Sequence, residues 1–589
     1  MKRHGTRTSH LLAVGLLIAG LCSGAPASAA PTTYFGAWSG GTIAPGESVI
    51  LADGASLTGN VEANGRLEFA QTTALTTSAT ISGTGSLALT NTGTVVLTGL
   101  TSGTARFDLA LSASRGALAI GATGTNPLIV GDTGVGSLSV TGGSVRNGLG
   151  VLGFTAGSLG TATVSSGTWA NASRILYVGH SGTGVLDVAG GFVTNSNGHL
   201  GGFSGSVGTA NVSSGTWHNG GQLYVGGRIG GTGGTGTLNL TDGAVLNTTA
   251  YIGSNATAVG TVTVTGGTWI NSVNLNVGTS GKGTLTISGN GNGAGGTVIV
   301  GGTLSKGAAG TINLSAGGTL QIGTGSTGGA LGTDVVNNGA LVFDRLGTGT
   351  VGVSISGTGS VTLANSATIR MTGTSTSSGP TTINAGALLV DGALGSTSVV
   401  VNAGGSLGGS GVIGGSVAVQ AGGTLAPGSG MESLACGPVT LLDGAVFRSE
   451  WDSQAPANSD LLTILGDVFL TGTVGLVLDD LAANPGPYAN GTILSLMNYS
   501  GSWTGGSFSR GGASLADEAV FSIGDQLWRI DYDAPAGGVN RTAEHLPDSR
   551  FVNLVAVPEP SAGVLLGIGL LGPALACRRA RRRQGGEEL

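Results

Sequence analysis

The 589-residue sequence predicts an all-β chain wound as a β-solenoid, and three observations carry that prediction. A phrase of about 24 residues recurs between 136 and 291, starting at Gly136, Gly160, Gly184, Gly208, Gly236, Gly260 and Gly283. A fixed period of this size marks a coil that buries its apolar face only against its neighbours. Within each copy the apolar positions fall at every second residue, the period of a strand with one buried face. The 117 glycines argue against helices, since each interior glycine costs a helix about 1 kcal/mol, and no 3.6-residue period appears.

Aligning the copies on their first glycine separates the positions into columns. Two residues on stand Leu138, Ala162, Leu186, Ala210, Leu238, Val262 and Leu285; four residues on stand Val140, Val164, Val188, Val212, Leu240, Val264 and Ile287. Gly143, Gly167, Gly191, Gly215, Gly243 and Gly267 mark a turn, where a residue without Cβ is least strained. A second strand alternates Val145, Trp169, Val193, Trp217, Val245 and Trp269, followed by Asn147, Asn171, Asn195, Asn219, Asn247 and Asn271. A third apolar pair before a glycine closes each copy, as in Tyr177-Val178-Gly179. Three short strands and three Gly/Asn corners make one rung. Rungs stacked about 4.8 Å apart turn each column into an apolar ladder. The Asn column is expected at a corner, its amides bonding the backbone and the Asn above and below.

Composition bounds the rest. Charged residues are 9% and aromatics 4%, but 40% of the chain is hydrophobic and strictly patterned, which favours an ordered solenoid over a disordered linker. Cys22, Cys436 and Cys577 leave no internal disulfide once the two ends are removed, so stability must come from stacking. The lack of a basic patch argues against nucleic acid as a partner.

Taken in order, residues 1–29 read as a signal peptide. Lys2, Arg3 and Arg7 precede an apolar core at 11–21 and the small-residue cleavage site Ala27-Ser28-Ala29. Residues 30–60, with Tyr34, Phe35 and Trp38, are expected to cap the first rung. Residues 61–430 are expected to form the solenoid, with a looser period outside 136–291. At about 24 residues per rung, 55–430 would hold roughly 16 rungs in about 75 Å of rod. The stretches 381–390, 399–411 and Gly422-Gly423-Thr424-Leu425-Ala426-Pro427-Gly428 resemble the autotransporter-associated β-strand repeats of bacterial passenger domains. The resemblance covers 310–430 and, in style, 136–291. It implies a right-handed parallel β-helix and no particular activity.

From 431 the composition shifts, with Trp451, Trp503 and Trp528 among many acidic residues. Strands are expected at 445–451, 461–465, 474–478, 492–497 and 527–532, and 431–556 is read as a β cap closing the edge-exposing end of the rod.

Residues 557–589 carry the sharpest signal. Val557-Pro558-Glu559-Pro560-Ser561 precedes an apolar run at 562–577, then Arg578, Arg579, Arg581, Arg582 and Arg583. The run is a short transmembrane helix for a hydrocarbon core of about 30 Å. Basic clusters at both ends would keep the termini cytoplasmic and the bulk outside. This order is similar to the PEP-CTERM sorting signal. The resemblance implies that Pro558, Glu559 and Pro560 are recognised by an exosortase-type processing enzyme. It also implies transient anchoring in the inner membrane through the C-terminal helix, and delivery to the cell surface or extracellular matrix of a Gram-negative-type bacterium.

These readings add up to an exported, non-catalytic structural or adhesin-like protein without cofactor or metal. The alternative is a β-helix that binds or degrades polysaccharide, and extracellular polysaccharide is the expected partner. Trp169, Trp217 and Trp269 recur on alternate rungs; facing outward they would be glycan contacts, facing inward core fillers alternating with Val. An enzyme would need paired carboxylates or an acidic metal cluster. Between 136 and 330, Asp187, Asp242, Arg146, Arg174, Arg228, Lys282 and Lys306 share no column. Glu450 and Asp452 read as solvated acids, and His180, His199 and His218 as corner residues. The net charge is −6; without the leader's three basic residues and the tail's five basic and two acidic ones it falls to −12, which would not attract anionic polymers.

Overall fold

A computed structural model describes residues 30–558, apart from 91–93, 98–104, 108–109, 114–116, 121–123, 173, 229, 294, 456 and 483–487. The leader (1–29) and the expected membrane helix (562–577), with Cys22 and Cys577, therefore lie outside the described residues. No helix among the described residues is long and apolar enough to cross a membrane.

Among the described residues the regular elements are strands, with one short 3-10 turn at Thr542–Glu544. In the centre, Val135–Arg146, Leu159–Ala170, Thr183–Asn195 and Val207–Asn219 stack in parallel and run round two faces of the coil. The third face is built by Gly150–Leu152, Leu176–Val178, Gly198–Leu200 and Gln222–Val225, also parallel. Val140, Val164, Val188, Val212, Leu240, Val264 and Ile287 are register partners in sequence, and all are buried. Each such side chain contributes about 1.5–3 kcal/mol by leaving water. The turn glycines are required by the stacking itself. Gly167 has φ +81°, and a Cβ there would meet the Gly143 carbonyl oxygen of the coil below at 2.2 Å.

Trp169, Trp217 and Trp269 are fully buried. This corrects their candidacy as glycan contacts, because a ring with no exposed face cannot stack on a sugar. Their alternation with Val is a volume exchange across the core. The Trp coils carry Ala162, Ala210 and Val262 in the first column, and the Val coils carry Leu138, Leu186 and Leu238, which keeps every layer filled at crystal-like density. Gly198 completes the fit, since a Cβ there would press on Trp217 Cζ2 at 2.9 Å.

The buried indoles also need a partner for Nε1. Trp169, Trp217 and Trp269 donate to Asn147, Asn195 and Asn247 Oδ1 of the coil beneath, at 2.8, 2.8 and 2.7 Å. The same Asn residues donate through Nδ2 to Asn171, Asn219 and Asn271 Oδ1, at 2.8, 2.6 and 2.7 Å. The Asn column is thus a series of dyads, not the uniform ladder expected. Between dyads, Asn171 Nδ2 turns to the Thr194 carbonyl at 3.4 Å.

Away from the centre the coil tightens. Asn partners stand 24 apart at Asn147 and Asn171, but Thr77 reaches back 20 residues to Leu57, and Asn402 reaches back 18 to Asn384. Residues 30–60 are not a separate cap: Thr32–Tyr34 pairs in parallel with Ser48–Leu51, which pairs with Arg66–Phe69, so they are the first coils. The boundary expected at 431 is likewise absent. Val439–Leu441 stacks on Val417–Val419, Val468–Asp480 on Val439–Leu441, and Trp503–Arg510 on Val468–Asp480. The new tryptophans and acids decorate coils whose inward alternation is unchanged. Closure comes later and by a change of direction. Ile493–Tyr499 pairs antiparallel with Arg550–Val557, which pairs antiparallel with Gln526–Ala534.

Candidate functional site

The sorting motif begins where the last strand ends. Arg550–Val557 lies between Ile493–Tyr499 and Gln526–Ala534, hydrogen-bonded on both edges. Its final carbonyl, Val557 O, accepts from Gln526 Nε2 at 3.0 Å. Pro558 follows directly and is exposed; Glu559 and Pro560 lie outside the described residues. The expected recognition residues therefore issue from a pinned strand with no intervening linker. Proline suits this position, since it lacks the N–H needed to continue the ladder.

The acidic candidates of the C-terminal region are engaged separately. Glu450 Oε1 pairs with Arg448 Nη2 at 3.3 Å, while Asp452 Oδ1 accepts from the Gln454 amide at 2.8 Å. The acid that sequence reading passed over is Asp460. It is buried, and its two oxygens accept from the Glu450 amide at 2.7 Å and the Glu432 amide at 3.0 Å. Burial pushes its carboxyl up to about 7, against the pull of those two N–H donors, with Glu450 adding to the rise and Arg541 opposing it. Arg541 secures the same corner by donating to the carbonyls of Met431 and Ser459. Asp460 thus acts as a staple between neighbouring coils. Among the described residues Asp517, Glu518 and Asp531 also approach one another within 4.8 Å; Glu518 is held by Arg529, and Asp517 accepts from the Tyr532 amide.

His180 and His199 belong to an aromatic seam along the coils. On the third face Tyr177, His199, Tyr224 and Tyr251 stack with centroids 5.0, 4.8 and 4.9 Å apart, close to the rise of one coil. On the corner beside them Phe154, His180 and Phe203 stack at 4.8 and 4.2 Å, and the Arg228 guanidinium sits 4.1 Å above the Phe203 ring. Burial lowers His199 to about 4, with Arg228 adding to the fall and the Gly227 carbonyl opposing it. His180 is lowered for the same leading reason. His218 lies on the second face, stacked at 6.5 Å with Phe192. The signal was one aromatic per coil at the position before the closing Val, Leu or Ile, obscured because His and Tyr share it. Cys436 is buried, and its thiol is pushed up to about 12, far from a reactive range.

Comparison with known proteins adds two findings. Residues 556–583 match the PEP-CTERM protein-sorting motif. This span joins the last residues of the closing sheet to the apolar run and the arginines, and it marks the chain for export and sorting to the cell surface through an exosortase-type enzyme. The chain is also similar to the Uncharacterized lipoprotein YdeK of Escherichia coli (strain K12), 41% identical over 91 residues. That stretch is 14% of this chain and 7% of the relative, so the chain spans a small part of its length.

Proposed function

We propose that the protein is an exported structural rod, displayed at the cell surface or released into the surrounding polysaccharide matrix, with scaffolding or adhesion as its task and no catalysis of its own. The observation that supports this reading most is the direct junction between Val557 and the sorting motif. A solenoid closed by a pinned strand presents the motif directly after its last hydrogen-bonded residue and keeps its own fold when the segment beyond is cut. The body offers a long, stiff surface whose stability is a sum of neighbour contacts, as suits a spacer. Glu450, Asp452, Asp460 and Glu518 support a non-catalytic reading, since each is committed to a backbone amide or an arginine.

Mass spectrometry of the mature C-terminus tests it. A product ending at or just before Ser561 and lacking 562–589 is expected, and replacing Pro558 and Glu559 by Ala should leave the full-length chain in the membrane fraction. A mature chain that keeps its arginine tail would overturn sorting. Turnover of any polysaccharide by the purified protein would overturn the structural role.

A further inference from the structure

The closing unit holds a cleft that the sorting reading does not use. It has a volume of about 730 Å³, within the range of small-molecule sites, and opens between the last parallel strand and the antiparallel sheet. Trp503, half-buried, forms one wall; Tyr532 and Tyr499 stand behind it, with centroids 4.8 and 6.2 Å from the indole. The two phenols are turned inward and locked. Tyr499 donates to the Tyr532 carbonyl at 2.7 Å, and Tyr532 donates to the Leu515 carbonyl at 2.8 Å while accepting from the Phe508 amide at 2.9 Å. The aromatic surface that faces the cleft is therefore that of Trp503, backed by two buried, locked rings. Gly505 and Gly506 leave the approach free of side chains, and a Cβ on Gly505 would meet the Leu470 carbonyl at 2.1 Å.

The rim is polar in a specific way. Asp517 is exposed and uses Oδ1 to accept from the Tyr532 amide at 3.1 Å. Asp533 is exposed and lies 3.4 Å from Arg550 Nη1, and an exposed pair of this kind is weak and readily exchanged for a ligand. An aromatic wall, two carboxylate acceptors for adjacent hydroxyls and one guanidinium donor make up the equipment that holds a sugar: apolar C–H face against the ring, hydroxyls to the rim. Two carboxylates against one arginine repel uronic acids and other anionic units.

We propose that this cleft is a binding site for a neutral glycan, with Trp503 as the stacking platform and Asp517, Asp533 and Arg550 as the hydroxyl-reading rim. The site replaces the buried tryptophans of the shaft as the place where the rod meets polysaccharide. It rests on the reading that the chain reaches the cell exterior, but the test is independent of it, because binding is measured on purified protein whatever its mature C-terminus.

The experiment titrates neutral hexasaccharides (gluco-, manno-, galacto- and xylo-configured) and, as an acidic comparator, hexagalacturonate into the purified chain by calorimetry. At least one neutral hexasaccharide is expected to bind. Trp503→Ala should weaken that binding about tenfold or more, Trp503→Phe less than Ala, and Asp533→Ala and Asp517→Ala each severalfold, with the thermal midpoint of each soluble variant recorded. The two rim variants keep the test decisive should Trp503→Ala fail to fold. The proposal is overturned if no neutral hexasaccharide binds, if binding is confined to hexagalacturonate, or if the Trp503 and rim variants bind as the parent does.

Discussion

The central coils (136–291) and the closing end (493–557) solve the same problem, a backbone ladder that must be buried, by opposite means. In the centre each coil is covered by a near copy of itself, so identity of column is enough, and the polar pairs of the core recur as Trp–Asn dyads. At the end there is no next copy. The chain reverses direction, and the antiparallel sheet is tied internally by Asn540, which accepts from the Ser495 amide at 2.7 Å and donates to its carbonyl at 2.9 Å, and by Asn553, which accepts from Ser495 Oγ at 2.8 Å. Repetition makes the shaft locally interchangeable, whereas the end is held by particular residues.

The largest expected effect separates the two. Trp217→Ala removes a fully buried indole and should cost the surrounding coils about 3–5 kcal/mol, seen as lost hydrogen-exchange protection across 183–252 while 493–557 keeps its protection. Equal loss at both places would mean that the rod unfolds as one unit. A compensated variant refines the point: Trp217→Val with Ala210→Leu should recover part of the loss of Trp217→Val alone, measured by urea denaturation, because it recreates the neighbouring coil's packing.

Acidification should move two buried groups, His199 in the centre and Asp460 in the coils before the closing end, in opposite directions. His199, lowered to about 4 from an ordinary 6.5, contributes stability that is complete above 6.5 and lost as pH falls toward 4, about 2 kcal/mol by pH 5. Asp460, raised to about 7 from an ordinary 3.8, contributes stability that is complete below 3.8 and lost as pH rises through 7, so taking the pH from 7.5 to 5 should return about 2 kcal/mol to its corner. Hydrogen exchange at pH 7.5 and 5 checks both signs, and His199→Phe and Asp460→Asn should each abolish the local dependence. In the closing sheet, Asn540→Ala should cost about 1–3 kcal/mol by leaving the Ser495 backbone unpaired. The smallest effect is at the surface, where Arg448→Ala, breaking its pairs with Glu450 and Asp479, should change stability by less than about 1 kcal/mol.

The shaft was legible because its information is one-dimensional: Val140, Val164, Val188 and Val212 announce stacking by period alone, and the strands near 446, 461, 493 and 526 follow from alternation. The tail was legible because motif, apolar run and arginines are contiguous. What lay beyond reading depends on through-space partners. The direction of Trp169 could not follow from period, since inward and outward positions both recur every coil; the clue was Ala162 opposite it, a small residue making room. The cleft was hidden because Trp503, Tyr532 and Arg550 come from three different strands and Asp517 from a turn, joined only by a reversal that no repeat signals. The limits of the end unit were misplaced at 431 because composition changed there before topology did.

The Trp–Asn dyads carry a consequence for how such a rod can grow. Since a tryptophan coil needs beneath it a leucine–valine coil offering an asparagine, the true building block is a doublet. Loss or gain of a single coil in 136–291 would set two tryptophan layers, or two leucine–valine layers, in contact and break the volume exchange between neighbours. Excision or duplication of two coils leaves every junction as it was, so viable length variants of this shaft should differ by even numbers of turns.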